Sequence, residues 1–153
     1  MSIELIKALQ TPSLYPHPVD TFEVKETHIS WVILTGNYAY KVKKPMDFGF
    51  LDFTTLEKRK HFCEQELKLN KRLAPEIYLD LLAVTGSINA PCLIPVSELP
   101  ADSNEPFEYL IKMTQFPQDG LFDLLQKEGQ LKADYIDELA NIMADFHLNK
   151  AAV

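Results

Sequence analysis

Glycine, cysteine and histidine are scarce in this chain, and long apolar runs are missing altogether. The five glycines stand at 36, 49, 86, 120 and 129, and no two lie close enough to build a phosphate-cradling loop of the GxGxxG or GxxxxGK[ST] kind. HExxH and GxSxG are missing too, which removes common zinc-protease and serine-hydrolase signatures. Cys63 and Cys92 are far apart and belong to no CxxC or Cys/His ligand pattern, so they read as free thiols in a reducing compartment. His17, His28, His61 and His147 fall in different segments and share no metal-ligand spacing. No apolar run approaches the ~18 residues of a membrane-spanning helix. The start, Met1-Ser-Ile-Glu-Leu-Ile-Lys, carries charge too often for a signal peptide. The expectation is a cytoplasmic protein with no membrane partner.

What is present is the make-up of an ordinary globular domain. The chain has 153 residues, 46% hydrophobic and 24% charged, enough for one real core without disulfide or metal staples. A net charge of −7 argues against nucleic acid as a partner. The charge is uneven, however: residues 41–72 hold nine Lys/Arg against five Asp/Glu, leaving the remainder strongly acidic. Such a basic third serves either a polyanionic ligand or a solvated helix face.

Residues 2–10 read as a short amphipathic helix, with Ser2 as cap and Ile3, Ile6 and Leu9 or Ala8 on one face. Pro12, Pro16 and Pro18 make the next stretch a connector. Residues 21–25, 29–34 and 38–43 alternate or run apolar with β-branched and aromatic side chains, predicting a three-stranded meander turned at Thr35-Gly36-Asn37. Pro45 ends the third strand, and an irregular aromatic stretch reaches Phe53. A threonine cap at 54/55 then opens a helix of about 18 residues, stopped before Pro75. Residues 76–84 read as a strand with a Thr85-Gly86 turn behind it, 90–96 as an edge strand limited by Pro91 and Pro95, and 108–113 as a further strand. Helical patterns follow at 121–127 and 133–147, the second with Ile136, Leu139, Met143 and Phe146 on one stripe. Strands interrupted by a single long helix predict an α+β fold with an antiparallel sheet.

Two sets of residues invite chemistry. Asp47-Phe48-Gly49 spells the metal-binding tripeptide of protein kinases, but it follows Lys41 by only a few residues instead of standing far downstream, so it is rejected as a Mg²⁺ site. Lys41 is more coherent. It sits inside an apolar strand, where an ammonium is costly without a partner, and Glu66 lies on the long helix that follows. A strand lysine paired with a helix glutamate is the kinase device for holding a lysine against the α/β-phosphates of ATP. Lys43 has the same strand parity and Glu64 is near Glu66, so the register stays open. A water-facing edge lysine with a solvated glutamate is the alternative.

Glu26-Thr-His-Ile-Ser-Trp-Val-Ile-Leu-Thr-Gly, Tyr40-Lys-Val-Lys-Lys-Pro, Phe50-Leu-Asp-Phe and Phe62-Cys-Glu-Gln-Glu-Leu-Lys-Leu-Asn-Lys-Arg-Leu-Ala-Pro together resemble the start of aminoglycoside-phosphotransferase-family proteins of a type often fused to a P-loop ATP-binding domain. The likeness continues more loosely through Tyr109-Leu-Ile-Lys-Met to Ala144-Asp-Phe-His. It implies a protein-kinase-like N-terminal lobe over residues 1–116, comprising an antiparallel sheet with one long helix and a hinge, and the first helices of a C-terminal lobe over 117–153. ATP would be the ligand, with Lys41 on its phosphates and Glu66 orienting Lys41. The Thr27-His28-Ile29-Ser30 turn would replace a glycine-rich loop, Ser30 offering hydroxyl and N–H to phosphate, unless Ser30 merely starts a strand. Met113 to Phe116, including Gln115, would be the hinge whose main chain pairs with adenine.

The family's catalytic Asp, in a His-Gly-Asp type loop, and its metal-binding Asn and Asp are not matched: His147-Leu-Asn departs from the pattern, and no other His-x-Asp occurs. The expectation is therefore the ATP-binding half of a small-molecule kinase, truncated and inactive by itself. A non-catalytic nucleotide-binding or protein-interaction module is the alternative. The 136–146 stripe is expected to drive self-association or to contact the missing lobe.

Overall fold

The computed structural model describes residues 3–100 and 105–150. The chain divides between Gln115 and Phe116 into two compact units. In the first, the order is α1 (Ile3–Ala8), β1 (Glu23–Glu26), β2 (Ser30–Leu34), β3 (Tyr38–Lys43), α2 (Leu56–Asn70), β4 (Tyr78–Ser87), β5 (Ala90–Pro95) and β6 (Glu108–Thr114). The second unit holds α3 (Phe122–Lys127) and α4 (Ala133–Asp145), which winds into a π-helical turn at Phe146–Lys150.

The six strands form one sheet in the order β1-β2-β3-β6-β4-β5, with every neighbouring pair antiparallel. The fold is α+β, as the sequence predicts. Insertion of β6 between β3 and β4 makes the last strand of the unit a central one. This suits Tyr109-Leu110-Ile111, all buried. The proline-bearing β5 lies at an edge, where missing N–H groups cost no ladder bonds.

Alternation along the strands gives the sheet two covered faces. Tyr109, Ile111, Leu81 and Ala83 pack with Cys63 of α2 on one face, while Ile33, Tyr40, Val42, Leu82, Val84 and Leu110 pack with Leu5, Ile6, Leu9 and Tyr15 on the other. The meander turn is at Thr35–Asn37, where Gly36 takes φ 95° and both Thr35 and Gly36 donate their N–H groups to Gln115 Oε1.

Several boundaries differ from expectation. The Thr85-Gly86 turn is not a turn: β4 runs through it to Ser87, and Gly86 pairs with Pro91 in the ladder. Gly86 holds φ 83°, and a Cβ there would stand 2.5 Å from the Ala90 carbonyl oxygen, so glycine serves backbone approach and not chain reversal. α2 spans 15 residues, because the chain tightens into turns at Lys71–Leu73 ahead of Pro75. β4 begins at Tyr78 and not at 76. In α1, Leu5 joins Ile6 and Leu9 in the core, whereas Ile3 is exposed. The Ser2 cap lies outside the described residues. α4 presents Ile136, Leu139 and Ile142 as exposed apolar side chains, and within the second unit Phe122 and Tyr135 stack at 6.4 Å.

Candidate functional site

β3 places Lys41 and Lys43 on the same face two residues apart, while Tyr40 and Val42 enter the opposite core. α2 lies across that first face. Thr55 caps it, its Oγ1 accepting the Lys58 N–H, and the 3.6-residue period brings Arg59, Cys63 and Glu66 onto one side. Glu66 meets both lysines: Lys41 Nζ donates to Oε1 at 2.7 Å and Lys43 Nζ to Oε2 at 2.6 Å. The register left open by the sequence thus resolves to both lysines and one glutamate. Glu64 instead pairs along its own helix with Lys60 at 3.9 Å.

The two lysines are not equivalent. Lys43's side chain is 3% exposed and its ammonium lies 4.9 Å from the Phe53 ring centre, so it is enclosed. Lys41's is 21% exposed. Burial pushes the Glu66 carboxyl up, but the charges of Lys43 and Lys41 and their hydrogen bonds outweigh it and hold the group below the ordinary carboxylate range. Two ammoniums on one carboxylate leave a surplus positive charge in a half-desolvated setting, where an anion is attracted more strongly than in bulk water. Cys63, between the charged positions on the helix, is no nucleophile: burial pushes its thiol up to about 12.

Ser30 stands directly across from Lys43 on β2. It is fully buried, and its Oγ has no hydrogen-bond partner. Its N–H is donated to Thr27 Oγ1 at 3.0 Å, and its carbonyl accepts from both the N–H and the hydroxyl of Thr27. The turn thus consumes the Ser30 N–H internally. Thr27 and His28 line an open pocket with Glu26 and Lys44, and neither Lys41 nor Glu66 reaches that pocket. Met113 is paired on both sides within the sheet, with Ala39 and Tyr78. Gln115 donates its N–H to the Asn37 carbonyl, and its side chain is the acceptor for the Thr35–Gly36 turn. Thr114 likewise gives its N–H to Ile77. The main-chain donors at 114 and 115 are thus committed to the fold.

The sequence reading missed a second buried ion pair. Arg59 Nε lies 3.0 Å from both carboxylate oxygens of Glu108, and one terminal nitrogen donates to the Phe53 and Thr54 carbonyls at 3.0 and 3.2 Å. Burial pushes the Glu108 carboxyl up despite the hydrogen bonds and charge of Arg59. α2 is therefore fastened by two ion pairs of opposite polarity, cation to sheet anion at its first turn and anion to sheet cations two turns later. A charged residue opening the apolar run Tyr109-Leu-Ile was the available signal. Asp47 and Asp52 face each other across an isolated bridge, and Asp47 Oδ1 accepts the Gly49 N–H in a local turn. Among the described residues, no cluster of three His, Cys, Asp or Glu is arranged to hold a metal ion.

Uncharacterised proteins of Mycobacterium bovis and of two strains of Mycobacterium tuberculosis are each 30% identical to this chain over 134 residues. The match takes in 86% of this chain and 24% of each relative, so the chain spans about a quarter of the length of the curated relatives it matches. No protein-family profile matches the chain. No solved structure matches it. Among the described residues, no helix is long and apolar enough to cross a membrane.

Proposed function

We propose that the chain is the ATP-binding half of an aminoglycoside-phosphotransferase-like small-molecule kinase of the cytoplasm, its first unit a kinase-like N-terminal lobe. The observation that carries this reading is the Lys41–Glu66–Lys43 cluster. One carboxylate shared by two ammoniums keeps a surplus positive charge, and Lys41 has the more exposed side chain of the two. ATP when bound supplies the phosphoryl group, and Lys41 would hold its α/β-phosphates. Glu66 orients Lys41, and Lys43 neutralises the remaining carboxylate charge from within the core.

The chain has no His-x-Asp segment, and phosphoryl transfer without base or metal ligands forgoes most of its electrostatic stabilisation. The role assigned to this chain is accordingly positioning of the nucleotide, not catalysis. A non-catalytic nucleotide-binding or interaction module is the second reading. Metal-dependent transfer by this chain in a single-turnover assay with labelled ATP would overturn its assignment to positioning alone. A thermal shift with ATP and Mg²⁺ tests the shared premise. The wild type is stabilised and Lys41→Ala is not; equal shifts would remove Lys41 from the site, and no shift in the wild type would remove the nucleotide.

A further inference from the structure

α2 is attached to the sheet chiefly through charge. Of its 15 residues only Arg59 and Cys63 are buried, with Leu56 and Leu67 packed part-buried against the sheet core. Apolar contact is non-directional, so contact of that extent does little to choose between neighbouring seats of the helix. Charged hydrogen bonds do choose, and fixing register is the best-attested use of a buried ion pair.

Arg59 and Glu66 stand two turns apart on α2, which puts them on one side of the helix and about 10 Å apart along its axis. On the sheet, Glu108 opens β6, and Ile111 further along it is the cross-strand partner of Lys41. The strand between 108 and 111 also spans about 10 Å. The two anchors are thus spaced alike on helix and sheet, and a single seat of α2 satisfies both. The first anchor has more bonds. The Arg59 guanidinium holds both oxygens of Glu108 and the Phe53 and Thr54 carbonyls, and Glu108 Oε1 also accepts the Tyr109 N–H at 3.0 Å. At the second anchor Lys43 is enclosed and Lys41 is the looser partner of Glu66. A slip of one residue, about 1.5 Å of rise and 100° of turn, takes Arg59 off Glu108 and Glu66 off Lys41 together.

We propose that Arg59 and Glu108 are a positioning pair, setting the seat of α2 from which Glu66 reaches Lys41 and so holding Lys41 oriented toward an anionic ligand. Both act through Glu66 and not on the ligand itself. Where it concerns nucleotide, this inference rests on the function proposed above; where it concerns the orientation of Lys41, it does not.

Acetylation of the folded chain by acetic anhydride, read lysine by lysine by mass spectrometry, tests it on wild type and Glu108→Gln. Lys41 is expected to react about threefold faster or more in the variant, because an ammonium released from its carboxylate gives up a proton more readily. Lys43 is expected to stay protected. An unchanged rate at Lys41 overturns the proposal. A parallel rise at Lys43 overturns it too, since the pair would then only hold the helix down. Arg59→Lys keeps the charge without the guanidinium fork; it gives the same pattern to a smaller extent, and it decides the matter if Glu108→Gln does not fold. A fluorescent ATP analogue is expected to bind Glu108→Gln about fivefold more weakly than wild type, and equal binding removes the pair from the site. A wild type that binds no analogue removes the nucleotide reading, and the acetylation rates then decide the orientation of Lys41 by themselves.

Discussion

Removing one partner of the Arg59–Glu108 pair has consequences that depend on which charge is left behind. Glu108 is fully buried and Arg59 nearly so. Glu108→Leu strands a guanidinium that cannot lose its proton inside a protein, and a cost of about 4 kcal/mol follows. Arg59→Met strands a carboxyl that can escape by protonation, in the direction burial already pushes it. It also strips the Phe53 and Thr54 carbonyls of their donor, at roughly 1 kcal/mol each, for a total again near 4 kcal/mol at neutral pH. The double variant leaves no stranded charge, only the two unmet carbonyls and the Tyr109 N–H that Glu108 Oε1 accepts, and loses about 2–3 kcal/mol. Urea unfolding followed by fluorescence of Trp31, the single tryptophan, reads the first unit directly. The sign with pH is also fixed. In Arg59→Met the folded state holds the Glu108 proton more tightly than the unfolded chain does, so this variant regains about 1–2 kcal/mol relative to wild type between pH 7 and 5. A double variant as unstable as the two singles combined, or an Arg59→Met variant that worsens on acidification, would refute this account of how α2 is fastened.

Glu66 has the opposite sign. Its carboxyl is held low in the folded state, so its stabilisation is present above the unfolded value of about 4.3 and is lost as pH falls through the lower folded value. Glu66→Gln, which leaves two crowded ammoniums, should cost about 3 kcal/mol at pH 7, with the gap to wild type closing below about pH 4 in acid-unfolding curves. Gly86→Ala meets both a left-handed backbone and the Ala90 carbonyl, and should lose about 2 kcal/mol or more in the same urea assay. An unchanged midpoint would mean that the β4–β5 ladder relaxes freely. The exposed Ile136, Leu139 and Ile142 of α4 predict concentration-dependent self-association by light scattering, abolished by Ile142→Glu. A wild-type monomer at every concentration would contradict that.

The strands were legible because each carries its own period: Tyr38-Ala-Tyr-Lys-Val-Lys alternates, and Pro91 and Pro95 mark an edge without reference to the rest of the chain. Gly86 was misread because glycine signals positive φ, and a turn and a close-packed ladder position both demand it. The site was half legible. Lys41 and Glu66 could be paired because a lysine in an apolar strand needs an anion, but sharing of that anion with Lys43 depends on where α2 settles on the sheet. Arg59–Glu108 was illegible for the same reason, its partners being joined only by tertiary packing. Residue type likewise does not reveal that the Ser30 hydroxyl is buried or that the Gln115 N–H is already spent on the Asn37 carbonyl.

The central claim, that Lys41 rather than Lys43 meets the phosphates, is tested most directly by equilibrium binding of a fluorescent ATP analogue to wild type, Lys41→Met and Lys43→Met, each checked for folding by circular dichroism. On the proposed reading the more exposed Lys41 is the ligand contact and the enclosed Lys43 a structural counter-charge, so Lys41→Met should weaken binding about tenfold or more and Lys43→Met by less. Equal binding by wild type and Lys41→Met, or loss confined to Lys43→Met, would contradict the account.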